Sequence, residues 1–409
     1  MAVTDLESFE ARRAAQIAYV RGAAEEPLPP PMSRTGAVGW LRENLFSGWS
    51  NIVLTLLSIL LIYWIVPPLL NFLIFDATWS GNDREACIAT PQRPEVGACW
   101  AFVRERFAYF IYGSYPIPQR WRVDIFFGML AIGVVWLAWL RAPRRDIGAV
   151  YFFVVMPVVS FILLAGWPAI GLPNVDTVYW GGALVTIVVA AVGIVFSLPI
   201  GILLALGRRS TMPAVRLMSV IFIEFVRGVP LITVLFMASV MLPLFVPENW
   251  SPDKLLRALV GVSMFAAAYM AEVVRAGLQA IPKGQYEGAM SVGLGYWQMM
   301  RLIILPQALR ITIPNIVNNY ISLFKDTTLV FIVGIFDLLK TIEIARIDPK
   351  WAAPVTSPTG YAFAAIFYFT FCYLMSRYAK NMEARLARSR NAEARRRRRW
   401  FRRRQKAAP

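Results

Sequence analysis

Eight stretches of this chain are long and apolar enough to cross a lipid bilayer, at about 51–75, 124–140, 149–167, 182–206, 217–246, 258–275, 309–336 and 360–379. A helical span needs about 20 predominantly apolar residues. Inside hydrocarbon every backbone polar group must be bonded internally, so such runs fold as helices. The predicted fold class is therefore all-α, a polytopic membrane protein of about eight transmembrane helices. Two spans are irregular. The fifth is overlong and contains Gly228-Val229-Pro230, and the seventh is interrupted by Lys325-Asp326-Thr327-Thr328.

Composition narrows the chemistry. Only 16% of the residues are charged and none is histidine, which removes the commonest general base and the commonest metal ligand. No metal-ligand spacing occurs, and no convincing nucleophile–base pair supports an intramembrane enzyme. The net charge of +17 is misleading, because fourteen Lys or Arg against two Glu fall between Arg377 and Lys406. A nucleic-acid reading weakens accordingly. The basic tail, 381–409, fits a cytoplasmic segment beside anionic lipid, at about 1 kcal/mol per basic residue near the surface; a docking tail for another partner is the alternative.

Basic residues accumulate on the cytoplasmic side of short loops. Arg141, Arg144 and Arg145 follow the second span, Arg208, Arg209 and Arg216 the fourth, and Lys283, Arg301 and Arg310 lie between the sixth and seventh. These loops alternate correctly if both termini are inside and the long loop 76–123 is outside. Residues 1–45 are polar, with a stiff Pro27-Leu28-Pro29-Pro30-Pro31 break and no cleavable signal; the run from Ile52 serves as an uncleaved anchor. Cys87 and Cys99 share the outer loop, where a disulfide is chemically allowed; pairing and free thiols both remain open. Cys372 lies in an apolar run.

Three local patterns carry candidate function. Glu224-x-x-Arg227 and Glu272-x-x-Arg275 place charges on one helix face within apolar surroundings. Such charges pair, face the bundle or mark a pathway, so they either lock helices at an inner gate or bond locally. In the seventh span Asn315, Asn318, Asn319, Ser322 and Asp326 recur at helical spacing. With Lys325, Thr327 and Thr328 they either line a solute path or glue helices together. Between the sixth and seventh spans, Pro282 starts a short helix and Gly293 and Gly295 stop it. A second helix fits Tyr296 to Leu305, and Pro306 then turns the chain back to the membrane.

That last segment carries a resemblance. Glu287-Gly288-Ala289, three residues, Gly293, nine residues, Ile303, one residue, Leu305 and then Pro306 resembles the cytoplasmic coupling loop of ABC importer permeases; Gly288 stands where that pattern usually has Ala. Arg227-Gly228-Val229-Pro230-Leu231, Ala268 to Arg275, Ile281 to Gln285, Pro306 to Arg310 and Lys325 to Leu329 resemble further segments of the polar amino-acid permeases. The likeness covers about 177–380, with the coupling loop at 276–310. The three spans of 46–170, with their large outer loop, look like an extension found in general L-amino-acid importers.

The resemblance implies an ABC type I importer permease core of five helices, in the bacterial inner membrane. It implies a second, similar permease as heterodimeric partner, two copies of a cytoplasmic ABC ATPase and a periplasmic amino-acid-binding protein. No phosphate-cradling Gly-x-x-x-x-Gly-Lys-Ser/Thr occurs, so ATP-Mg would be bound by the ATPase partner and this chain would need no cofactor. The alternative function is an ion-gradient-driven secondary transporter. It would explain the buried charges but not the coupling-like loop, and no inverted repeat relates the halves.

Overall fold

The computed structural model describes residues 36–91, 93–139, 142–247 and 252–406. The proline run near the N-terminus and Arg141 lie outside the described residues. Among those described, no strand forms beyond isolated bridges. The chain divides into two compact units between Asn71 and Phe72. The first contains α1 (Gly36–Asn44) and α2 (Trp49–Leu70), an apolar helix with Pro67 and Pro68 near its end.

The second unit holds the remaining helices. They are α3 (Trp100–Tyr112), α4 (Trp121–Ala138), α5 (Arg145–Ala165), α6 (Gly182–Arg208), α7 (Pro213–Gly228) and α8 (Leu231–Phe245). Then follow α9 (Lys254–Gln279), α10 (Lys283–Ser291), α11 (Tyr296–Val333), α12 (Leu338–Ala345) and α13 (Thr356–Lys406). Seven helices are long and apolar enough to span a bilayer, and α7 with α8 raises this to eight if that bent pair counts as one.

The fifth apolar run is not one straight span. It bends by 109° between α7 and α8. Pro230 has no N–H to donate, and its ring drives the preceding residue out of the helical region. Val229 is accordingly extended, at φ −110° and ψ 137°. The seventh run is less broken than its sequence suggests. The helix runs through Lys325 and Asp326, tightens to a 3₁₀ turn over Thr327–Val333 and stops at Gly334.

The centre is the pair α6 and α9, which lie along one another, with α11 against α9 and α13 against α11. Small residues allow this closeness: a Cβ on Gly201 would sit 2.8 Å from Met270 Cβ and 3.1 Å from the Ala271 nitrogen. In lipid, where no hydrophobic drive brings helices together, such close backbone packing is the main source of association. One core gathers Leu184, Val185 and Val189 of α6 with Val262, Ala266, Leu235 and Leu323. A second, towards the other end, gathers Ala205, Met270, Val274, Ile304 and Ala308.

The loop 76–123 and the segment 337–359 pack together as one folded cap. Cys87 and Cys99 are joined as a disulfide, with Cα atoms 5.7 Å apart. Phe102 packs against Phe110 and Trp351. Arg106 pairs with Asp348, and Lys350 with Glu105. The Cys99 amide donates to Thr359 Oγ1 at 2.9 Å.

Beneath the cap, Asp337 caps α12 by accepting from the Leu339 and Lys340 amides at 3.2 and 3.1 Å, and Tyr368 donates to it at 3.4 Å. Complete burial pushes its carboxyl up to about 6, against the opposing pull of these donors. A raised carboxyl pKa means the fold favours the protonated acid. The associated stability is therefore fully present below about pH 4 and is lost as pH rises through about 6. Asp337→Asn keeps a capping oxygen but does not titrate. Its thermal midpoint in detergent, subtracted from wild type across pH 4–7.5, should change by the equivalent of about 3 kcal/mol. Parallel curves for the two proteins would show that Asp337 is not the titrating group.

Candidate functional site

Three structures carry the candidate site: two lie where Arg208 of α6, Glu272 of α9 and Ile304 of α11 are found, and the third runs along α11. The first is an exposed elbow. Pro282 caps α10, and the helix ends at Ser291 because Gly293 takes φ +78°. Gly295 opens the next helix rather than closing α10, its amide donating to Gln298 Oε1 at 3.3 Å. Ala289 is buried against the core of Met299, Met300 and Ile304, which fixes the elbow's inner face. Tyr286 donates to the Leu278 carbonyl at 3.1 Å and receives Arg209 at 3.1 Å, and Gln307 donates to Gln285 at 3.0 Å. The outer face carries exposed Glu287 and Gly288 with Met290, Val292 and Trp297. A Cβ on Gly288 would meet nothing within 4 Å, so glycine in place of alanine there alters no packing.

Pro306 does not turn the chain, contrary to the sequence reading. The helix entering at Tyr296 continues as α11 to Val333. A π-turn over Met300–Ile304 precedes it, and Pro306 falls in the first turn of the α-helical stretch that follows. Proline there would otherwise clash with the carbonyl one turn back; widening the preceding turn relieves this, and the helix continues. Ile303 and Leu305 are half-buried on the inner face, and Pro306 is exposed.

The second structure is a charge cluster at the α7–α8 bend. The two Glu-x-x-Arg motifs do not act as two local pairs. Only Glu272 and Arg275 bond within one helix, Nε to Oε2 at 2.8 Å. Glu224 instead meets Arg208 at 2.8 Å, and the same Arg208 Nη1 reaches Glu272 at 2.7 Å. Arg227 approaches Glu272 at 3.8 Å and lies over the Tyr269 ring at 5.5 Å. Glu272, 16% exposed, is the centre on which three arginines converge. Arg208 was legible only as a loop-side charge, since it ends its span. Tyr269 stood within the Ala268–Arg275 segment of the resemblance, but nothing in the sequence singled out its ring as a partner for Arg227.

The third is a polar face on α11. Asn315, Asn318, Ser322 and Lys325 are exposed in one line, at spacings of three, four and three residues. Asn319, Asp326 and Thr328 are half-buried beside it. Among the described residues, the amides of Asn315, Asn318 and Asn319 and the hydroxyl of Ser322 bond to no other helix of this chain. Thr327 is off this face: it is buried, and its hydroxyl donates to the Phe324 carbonyl at 2.7 Å. Thr328 donates to the Lys325 carbonyl at 2.9 Å.

The second unit is thus a bundle of helices long and apolar enough to span a membrane, with an exposed two-helix elbow and a polar face along one long helix. Residues 197–388 match the family described as the inner membrane component of binding-protein-dependent transport systems. The chain is 51% identical over 362 residues to the inner membrane amino-acid ABC transporter permease protein YhdY of Escherichia coli, covering 88% of this chain and 95% of that one. It is 40% identical over 432 residues to the glutamate/glutamine/aspartate/asparagine transport system permease protein BztC of Rhodobacter capsulatus, covering 90% and 98%. With the probable glutamine ABC transporter permease protein GlnP of Bacillus subtilis it shares 32% over 209 residues, 50% of this chain and 92% of that one. The chain belongs to the amino-acid ABC transporter permeases, as a multi-pass inner-membrane subunit. The two long relatives match it nearly end to end, whereas the shorter one matches half, so the long form recurs outside this chain.

Proposed function

We propose that this permease carries polar or general L-amino acids by alternating access, driven through the Glu287–Leu305 elbow by two copies of a separate ATPase that binds ATP-Mg. The observation that carries this reading is the elbow itself. Its inner face is anchored on Ala289, Met299 and Ile304, and its outer face offers Glu287 amid exposed Met290, Val292 and Trp297. A knob anchored from within, with exposed apolar side chains and the charges of Lys283 and Glu287 one turn apart on its outer face, suits a cleft on a motor subunit. A second, similar permease completes the path as a heterodimer, and a periplasmic amino-acid-binding protein delivers the solute. Both termini are cytoplasmic, and the basic tail lies beside anionic lipid rather than nucleic acid. This chain needs no cofactor of its own. Uptake into vesicles should require ATP, stop with vanadate and survive a proton ionophore. Ionophore-sensitive, vanadate-insensitive uptake would return the function to a gradient-driven carrier.

The polar face of α11 is the proposed solute path. A zwitterionic amino acid crossing lipid needs donors and acceptors, and Asn315, Asn318, Asn319 and Ser322 have none of theirs committed to another helix of the described chain. Single cysteines along 312–328 should react with thiol reagents on the Asn315–Asn318–Ser322–Lys325 line, and substrate or ATP should alter that reactivity. Thr327 should stay unreactive. A membrane-impermeant reagent from outside should reach cysteines within 76–123 and not at 145 or 400. A protected line, with misfolding rather than transport loss on substitution, would make these residues helix-packing groups.

A further inference from the structure

The elbow is covalently continuous with α9 and α11 alone, so motion it receives reaches those two helices through the chain. α6 is joined to it by side chains. Arg209, the residue that caps α6, donates from Nη1 to the Tyr286 hydroxyl at 3.1 Å, and its guanidinium lies over the Tyr286 ring at 5.6 Å. Among the described residues this is the only side-chain hydrogen bond from α10 to a helix other than α9 and α11. Ala205 and Leu206 of α6 share the core of Ala289, but apolar contact is non-directional and fixes no register.

The tyrosine hydroxyl is fixed by a local gap in bonding. The Leu278 carbonyl, in the last turn of α9, would ordinarily accept from the residue four later, but that residue is Pro282, which has no N–H. Tyr286 donates to this carbonyl instead, at 3.1 Å, which leaves its oxygen free to accept from Arg209. Arginine suits that side, because its planar fork can donate to a hydroxyl and lie against a ring at once. Arg208 stands one residue back, and consecutive helical positions point about 100° apart. It reaches Glu224 of α7 and Glu272 of α9. The end of α6 therefore holds the elbow with one arginine and the charge cluster with the other.

We propose that Arg209 is a positioning residue for the transport stroke: through Tyr286 it makes α6, and with it the Arg208–Glu272–Glu224 cluster at the α7–α8 bend, follow the elbow. This role rests on the ATP-driven mechanism proposed above. Arg209 is exposed and Tyr286 half-buried, so losing their contact should cost the fold little. The complete transporter, reconstituted in proteoliposomes with its ATPase and binding protein, gives uptake per ATP hydrolysed. Arg209→Ala should lower that ratio about fivefold, the weight of about one hydrogen bond, with assembly and thermal midpoint unchanged. Tyr286→Phe keeps the ring, should lower the ratio as much, and carries the test if Arg209→Ala fails to accumulate. The two combined should be no worse than either alone. Arg209→Glu combined with Tyr286→Lys rebuilds the link with a new charge pair and should recover most of the ratio. Arg216→Ala removes another exposed arginine of the same region and should match wild type. An unchanged ratio in Arg209→Ala, additive losses in the double variant, an equal loss in Arg216→Ala, or a lowered thermal midpoint that accounts for the loss would each overturn the assignment. Wild-type uptake that needs no ATP would remove the ATP-driven mechanism with it, whereas ATP-coupled uptake at the wild-type ratio in Arg209→Ala removes the role of Arg209 alone.

Discussion

Replacing Gly293 with valine should reduce ATP-driven uptake at least a hundredfold while the protein still inserts and accumulates. The cause is backbone conformation rather than space. Gly293 holds φ +78°, yet a Cβ there would meet nothing within 4 Å. A non-glycine residue in the left-handed region costs about 1–2 kcal/mol, and a β-branched one more. The elbow has an easy way to release that strain, because its outer face is free to swing, and a displaced knob no longer transmits motion. A graded series follows from the same argument. Asparagine, which tolerates the left-handed region, should retain most uptake; alanine should be intermediate; valine should be worst. Gly288→Ala is the matched control. Its helical, open position should accept a methyl group, gaining up to about 1 kcal/mol of helix propensity with uptake unchanged. Equal uptake for asparagine and valine at position 293 would remove the backbone argument, and normal uptake for valine would remove the elbow from the mechanism.

Replacing Glu272 with alanine should be the most damaging single change among the membrane helices. It leaves Arg208, Arg227 and Arg275 converging without their central acid. Removing one partner from a buried ion pair costs about 3–5 kcal/mol, because the remaining charge stays desolvated. Glu272 is 16% exposed, which places the expected loss near about 3 kcal/mol. The cluster joins the last turn of α6, the α7–α8 bend and α9, so the loss should appear both as a lower thermal midpoint and as ATP hydrolysis uncoupled from uptake. Neutralising Arg275 alongside Glu272 should recover part of the stability, since Glu272 is its acidic partner whereas Arg208 keeps Glu224. Additive losses in that double variant would mean the two groups do not interact. Glu224, 53% exposed, should cost under about 1 kcal/mol on the same measurement.

The contrast between these residues shows where sequence reasoning succeeds. Helices in lipid announce themselves by length and apolarity, and all eight apolar runs correspond to helical segments. The elbow was also legible, because glycine spacing encodes a backbone conformation that few other residues adopt. The break at Gly228-Val229-Pro230 was visible as an irregularity, but its 109° angle was not, since proline chemistry states where a helix stops and not where the next one points. Partner choice was the least legible. The i,i+3 spacing of Glu224 and Arg227 suggested a local pair, and tertiary packing overrode it by bringing Arg208 sixteen residues back along the chain. The cap was invisible for a similar reason. Its pairs, Arg106 with Asp348 and Phe102 with Trp351, join segments about 240 residues apart whose charges looked merely mixed. The basic tail read as a charge run, although arginine, alanine and glutamate are good helix formers; the backbone of α13 stays helical through it to Lys406.

That cap also imposes a timetable on biogenesis. The Cys99 amide finds its acceptor on Thr359, 260 residues later in the chain. At about 5–20 residues per second of synthesis, the first half of the cap waits roughly 13–50 s for the second to be made. During that interval Phe102 and Phe110 lack Trp351, and Arg106 and Glu105 lack Asp348 and Lys350. Two nascent cysteines are already present through this window, before the surroundings that bury them exist. The period of greatest vulnerability to misassembly therefore falls before the final helix emerges, and a shortened chain ending ahead of Thr359 would never leave it.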